Sequence, residues 1–381
     1  MTSALETPVG HPPTTSPRWL RDRPALAATS LFLILQGGAA LAFHLVEPGW
    51  PNGRLNWDAA HYESIARSGY PELPSENSPA DLSPYAFYPL YPLLVRLLST
   101  LAGLSIATAA VVISVTCATA AVVVAARWMG GLWGSSGSLA IVFGLALSPA
   151  FPVLQMAYVE GLALLLVVTA LRSLASESYL LCGGAMVLLG FSRAIAAPFV
   201  VVSAVHLWSL HRRSERGRRL AAPLMLVGVA GLASFAWPIV SGLMAGRPFV
   251  YFDAMRGFRK PGSPPSILFA ALEYPFLGLL VLLFVGLTTW VGLRIVPDET
   301  PVVLRAWIVA YPPYLVAVSV ISTSPLRYLL LAFPIGLVLV PALARLRWRL
   351  AVLVPAIAVS IIASWWWVAT FVPTTIDGTI P

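Results

Sequence analysis

Two short runs gather the residues able to do chemistry: Trp57-Asp58-Ala59-Ala60-His61-Tyr62, and later Phe87-Tyr88-Pro89-Leu90-Tyr91-Pro92. Charged residues make up only 10% of the chain, so a carboxylate set among aromatic rings, close to a histidine, stands out. A carboxylate held against apolar surface is poised to accept a proton, and an imidazole within reach can steady it. The structural alternative makes Asp58 the N-cap of a short helix over 59–68, stopped by Gly69-Tyr70-Pro71, with His61 one turn along on the same face. His61 taken alone reads as a hydrogen-bonded interfacial side chain. The five histidines and two cysteines show no zinc-ligand spacing, and there is no glycine-rich phosphate loop. With no Asp-x-Asp pair near Asp58, no cofactor is expected, a divalent metal being left open.

The elements that must position these residues follow from composition. Hydrophobic residues fill 58% of 381 positions and the mean hydropathy is +0.81, above the roughly 45–50% apolar usage of soluble domains. The class is therefore an all-α polytopic membrane protein, with membrane lipids as surroundings and no nucleic-acid partner. The apolar runs are continuous, unlike the alternating segments of about ten residues in a barrel, and backbone polar groups in lipid must be satisfied within each span. Eleven helices are expected, at 25–46, 101–126, 136–152, 159–175, 178–192, 195–210, 220–243, 266–293, 303–321, 327–345 and 349–371. Those between 136 and 210 are short against the roughly 17–25 residues of a crossing. Residues 1–24 are expected as a disordered cytoplasmic tail, 25–371 as the membrane domain and 372–381 as an outer tail. Cys117 and Cys182 fall inside apolar runs, as packing residues without a disulfide framework.

Arginine sets the orientation. With the N-terminus inside, fifteen of the 24 basic residues fall in short cytoplasmic loops, including the run Arg212, Arg213, Arg216, Arg218 and Arg219. The other nine are Arg54, Arg67, Arg96, Arg193, Arg247, Arg256, Arg259, Lys260 and Arg327. They fall on the outer face, where topology gives no reason for cations, and suit an anionic ligand such as a phosphate on a lipid carrier. Their bland reading is that of snorkelling helix-end anchors, above all for Arg67, Arg96 and Arg247. The first outer loop, 47–100, carries aromatics and prolines on both sides of a Pro/Ser/Glu-rich connection and reads as two interfacial helices.

The order WDAAHY, IARSGYP, AFYPLYPLL, MAYVEGL, GFSRAIAAPF, YFDAM and SPLRYLLLAFP resembles the PIG-V-type membrane mannosyltransferases, over residues 54 to 340. The resemblance implies a GT-C-type helical bundle with an extracytoplasmic active site. It also implies transfer of a sugar, mannose by family, from a polyprenyl-phosphate donor to a glycolipid or envelope-glycan acceptor. By that resemblance the first-loop aspartate maps to Asp58, the acidic residue of the Tyr-x-Glu element to Glu160, and the later arginines to Arg193 and Arg327, the last followed by Tyr328. This chain reads Ser192-Arg193-Ala194 where relatives carry Thr-Arg-Pro, and Pro325-Leu326-Arg327-Tyr328 where they carry Pro-Arg-Tyr.

On that basis Asp58 is the general base, steadied by His61, and Arg193, Arg327 and Arg256 hold the donor phosphate as negative charge grows on it. Trp57, Tyr62, Tyr88, Tyr91, Glu160, Asp253 and Tyr328 are the expected substrate-binding residues. Intramembrane Glu160, Arg193 and Arg327 are functional candidates by default, the structural alternative being an ion pair that stitches helices, for example Glu160 with Arg193. The competing class is a transporter or flippase of a lipid-linked sugar, against which stand the lack of an internal repeat and the gathering of charge on one face. A non-catalytic envelope scaffold would have no use for the Asp58 cluster.

Overall fold

The computed structural model describes residues 18–49, 51, 53–72, 82–212, 218–259, 262–322 and 324–372, and every regular element among them is helical. In chain order they are α1 (Arg18–Val46), α2 (Asp58–Ser68), a 3-10 turn (Ser83–Ala86), α3 (Leu90–Ala102), α4 (Ile106–Ala146) and a 3-10 segment (Phe151–Gln155). Then come α5 (Glu160–Ala175), α6 (Tyr179–Gly190), α7 (Pro198–Arg212), α8 (Arg218–Ala245), α9 (Val250–Gly257), α10 (Ile267–Glu273) and α11 (Pro275–Trp290), prolonged by a π-helical turn (Val291–Ile295). The chain ends in α12 (Val302–Val318), α13 (Ser324–Tyr328), a 3-10 run (Leu329–Leu339), α14 (Val340–Ala344) and α15 (Leu346–Phe371). Six stretches are long and apolar enough to cross a bilayer: Arg23–Val46, Ile106–Ala146, Leu220–Ala245, Pro275–Ile295, Ser324–Ala344 and Leu350–Phe371. This is a multi-pass membrane protein.

Helices lie close to all eleven expected stretches, with corrections that have physical causes. The helix begins at Arg18, so 18–24 belong to α1 and not to the tail. Residues 1–17, 73–81 and 373–381, and with them most of both expected tails, lie outside the described residues. The 41 residues of α4 are two antiparallel arms, because Ser138 Oγ donates to the Ala126 carbonyl at 2.8 Å. Twelve residues of straight helix would put those groups about 18 Å apart. The chain reverses at Trp133 and Gly134, where Gly134 takes φ +57° without a side chain to obstruct it.

Proline accounts for the other breaks. The helix expected over 266–293 is interrupted at Tyr274, held extended (φ −115°, ψ 102°) as the residue before Pro275, which opens α11. The segment expected over 327–345 winds mostly as 3-10 helix, with Pro334 inside it; proline there removes a donor from the α ladder. Gly336 and Gly144 let this run lie directly on the second arm of α4, where a Cβ on either would strike backbone of the other segment.

Long-range bonds define the two ends of the bundle. At one end, Ala157 N–H donates to the Arg54 carbonyl (2.9 Å), Leu90 N–H to the Phe191 carbonyl (2.9 Å), and Trp237 Nε1 to the Tyr85 carbonyl (3.0 Å). At the other, Arg305 donates to the carbonyls of Gly292, Val296 and Pro297, closing the turn between α11 and α12. The first end is the one that carries the two runs picked out above.

Candidate functional site

Four charged side chains from distant parts of the chain meet at that end. Asp58 opens α2, Glu160 opens α5, Arg193 lies in the loop between α6 and α7, and Arg327 belongs to α13. Arg327 Nη2 stands 2.6 Å from Asp58 Oδ2, and its Nε 3.4 Å from Glu160 Oε1. Arg193 Nη1 is 2.7 Å from the same Glu160 oxygen. The order Asp58, Arg327, Glu160, Arg193 alternates in sign and carries no net charge. The anticipated Glu160–Arg193 stitch is present, but as the inner half of a longer chain.

Burial is graded along this chain. The side chains of Glu160, Arg327, Arg193 and Asp58 are 2%, 9%, 13% and 29% exposed, so Asp58 is its open end. Glu160 is seated deepest because Gly161 lets α5 press onto the Ser114 carbonyl of α4, where an added Cβ would collide. Its place in the first turn of α5 also sets the carboxylate at the positive end of the helix dipole.

Aromatic rings close around the cations. The Arg193 guanidinium lies 4.0 Å from the Tyr328 ring centroid, and that of Arg327 lies 5.1 Å from Tyr158 and 5.2 Å from Tyr328, within cation–π range. Tyr158 donates to the Asn56 carbonyl at 3.1 Å. Burial first, and then the Asp58 charge, push its phenol well above the usual tyrosine value, so it serves as a neutral donor. Burial is the largest influence on Arg193 and alone would lower it; the Glu160 carboxylate, joined by the Tyr328 and Tyr62 hydroxyls, outweighs it and holds the guanidinium above its ordinary value.

The turn before α2 explains how Asp58 is aimed. Trp57 adopts φ +62°, an unusual conformation for a bulky residue. Contacts hold it there: Trp57 Nε1 donates to the Phe371 carbonyl (3.1 Å) and Asn56 Nδ2 to the Val372 carbonyl (2.9 Å). The cap position of α2 is therefore Trp57, and no side chain caps the helix. Two expectations for Asp58 change as a result. It is the first helical residue and not the N-cap, and its neighbour is a guanidinium instead of apolar surface, because an ion pair with Arg327 outweighs a cap bond.

The remaining expected residues divide. His61 is stacked on Phe87 at 4.5 Å and meets Phe258 edge-on at 5.7 Å, on the same helix as Asp58. Tyr328 lies in the site, as do Glu160, Arg193 and Arg327. Tyr88 is buried at its flank, its hydroxyl 3.3 Å from that of Tyr251. Trp57 acts as an anchor. Tyr62 and Tyr91 are both buried and their rings meet at 5.0 Å; Tyr91 is fully enclosed with its hydroxyl donating to the Ala110 carbonyl, as a packing residue, whereas Tyr62 lies within the fields of Asp58, Glu160, Arg193 and Arg327. Arg256 and Asp253 pair with each other at 2.9 Å, one turn apart on the exposed face of α9, and no contact joins them to the four-charge chain among the described residues. Arg67 pairs with Glu63, and Arg96 donates to the Ala66 and Arg67 carbonyls that end α2, as helix-end anchors should.

Sequence reasoning missed Tyr158, Tyr311 and Tyr314. Tyr311 donates to the Tyr328 carbonyl at 2.8 Å, and Tyr314 to the Ala194 carbonyl, so α12 fixes the backbone beside both arginines. The polar Tyr311-Pro312-Pro313-Tyr314 interruption of an apolar span was the signal available. Among the described residues, Asp58 Oδ1 accepts no protein hydrogen bond, and Arg193 Nε and Nη2 and Arg327 Nη1 donate none. Such a site offers an incoming molecule one proton-accepting edge and several cationic donors. Among the described residues no three His, Cys, Asp or Glu side chains gather closely enough to hold a metal ion. No protein-family model matches this chain, and comparison with curated proteins finds no match.

Proposed function

We propose that this protein is a GT-C-type membrane glycosyltransferase of about eleven spans, with its N-terminus in the cytoplasm and its site on the extracytoplasmic face. It moves a sugar, mannose by its resemblance to PIG-V-type enzymes, from a polyprenyl-phosphate donor to a lipid-linked or cell-envelope acceptor. The observation that carries this reading is the convergence of Asp58, Glu160, Arg193 and Arg327 into one alternating chain whose open end is a carboxylate. Four residues spread over 270 positions meet there, and the same four were picked out by the resemblance.

The chemistry follows from which atoms are left over. Asp58 Oδ1 takes the proton of the acceptor hydroxyl as that oxygen attacks the anomeric carbon. Arg327 fixes the other carboxylate oxygen, so the base is presented in one orientation. Negative charge grows on the departing phosphate oxygen and is met by the spare N–H groups of Arg327 and Arg193. Glu160 keeps both guanidinium groups in place while leaving those donors free. In-line attack inverts the anomeric centre.

Reconstitution into proteoliposomes with radiolabelled polyprenyl-phosphate-mannose tests the reading. Label on an acceptor lipid or glycan is the expected result. Label carried across the bilayer on its original lipid would make the protein a flippase, and no movement at all would sink the donor assignment.

A further inference from the structure

Most guanidinium groups at this end of the bundle are held by partners, Arg96 by the Ala66 and Arg67 carbonyls among them, and Arg259 stands apart from these. Arg193 and Arg327 are matched by Glu160 and Asp58, Arg256 by Asp253, and Arg67 by Glu63. Neutralised in this way, the four-charge chain has donors but no net attraction for an anion. Arg259 differs. Among the described residues no carboxylate pairs with it, and its Nε is buried without a hydrogen-bond partner.

Its position relates it to the site. Arg259 follows Phe258, whose ring meets His61 at 5.7 Å and Phe87 at 5.8 Å, and its own N–H is fixed to the Arg256 carbonyl in the turn that ends α9. On the preceding helix, the Tyr251 hydroxyl reaches that of Tyr88 and lies within the fields of both Arg193 and Arg259. Arg259 and Arg193 thus both lie near the Tyr251 hydroxyl, and the residue before Arg259 packs on His61 of α2.

We infer that Arg259 is a further phosphate-binding residue, supplying the unneutralised positive charge that draws the anionic headgroup of an amphiphilic donor to the spare N–H groups of Arg193 and Arg327. The inference rests on the phosphate-lipid donor proposed above. It takes over the role first expected of Arg256, whose charge is already matched and exposed.

The test measures binding of geranylgeranyl phosphate, geranylgeraniol and inorganic phosphate to the full chain in nanodiscs, for wild type, R259Q, R259K and R256Q. Wild type should favour the lipid phosphate over the alcohol. R259Q should lose about tenfold or more of affinity for the lipid phosphate, the scale of a charge-assisted hydrogen bond, with binding of the alcohol unchanged as proof of an intact fold. R259K should fall between, and R256Q should match wild type. A wild-type phosphate preference in R259Q would overturn the inference while leaving the donor reading intact. Loss of the preference in wild type itself would overturn the donor reading and the inference with it. Inorganic phosphate binding as tightly as the lipid phosphate would assign the charge to a free anion and overturn the lipid headgroup.

Discussion

Replacing Glu160 with glutamine removes one negative charge from between two guanidinium groups while keeping the side chain's size. Glu160 Oε1 lies 2.7 Å from Arg193 and 3.4 Å from Arg327, in a side chain only 2% exposed. With charge centres about 4 Å apart and an effective dielectric of about 20, each pair contributes about 4 kcal/mol, or about 8 kcal/mol together. Neutralising the carboxylate also removes its own desolvation penalty of several kcal/mol, leaving a net loss of about 3–5 kcal/mol, the range for breaking a buried ion pair from one side. Heating detergent-solubilised protein in steps and measuring the folded fraction by size-exclusion fluorescence reads this loss. Asp58→Asn is the comparison: its side chain is 29% exposed and Arg327 keeps Glu160 as a second carboxylate partner, so its effect should be the smaller of the two. Adding Arg193→Gln to Glu160→Gln removes one stranded cation and should recover part of the loss. Glu160→Gln protein as stable as wild type would mean that the four charges are neighbours without being coupled, and the argument from their convergence would fail.

Two further outcomes are expected. Arg193→Lys and Arg327→Lys should each lower turnover more than Arg67→Lys, because an ammonium cannot reproduce a forked guanidinium contact, whereas Arg67 forms an exposed pair with Glu63; equal effects in assays at saturating donor would contradict this. Cysteines introduced at Asp81 and Gly262 should react with an impermeant thiol reagent from outside, and one at Glu215 only after permeabilisation. The reverse pattern would put the site in the cytoplasm.

Much of this arrangement was legible in the sequence because a membrane chain has few charges and each needs a reason. Glu160, Arg193 and Arg327 could be singled out from their setting alone, and Asp58 from its aromatic neighbours. The partners were not legible. Sequence offered Glu160 for Arg193 but nothing that tied Asp58 to Arg327, since 269 residues and several spans separate them and only the packing of α13 beside α2 closes the gap. The N-cap expectation failed for a related reason: a local rule for Asp58 gave way to a tertiary ion pair. Helix ranges were close wherever hydropathy decides them, including the break expected between 126 and 136 and found at Trp133 and Gly134, and went astray where proline acts within an apolar run, as at Pro275 and Pro334. Tyr91 illustrates a further limit. Aromatic richness marked the right region, but which rings face a ligand and which fill the core depends on helix rotation, and Tyr91 turns inward to Ala110.

The central claim is that the open edge of Asp58 accepts a proton during sugar transfer. Asp58→Asn keeps the volume and removes the acceptor, so the measurement is turnover of that variant in proteoliposomes supplied with radiolabelled polyprenyl-phosphate-mannose, beside wild type at matched folded protein. Turnover should fall by about 10²–10⁴-fold, the scale of lost general-base catalysis, with folding and donor binding retained. Transfer at the wild-type rate would contradict the account and leave Asp58 as one more member of a structural ion pair.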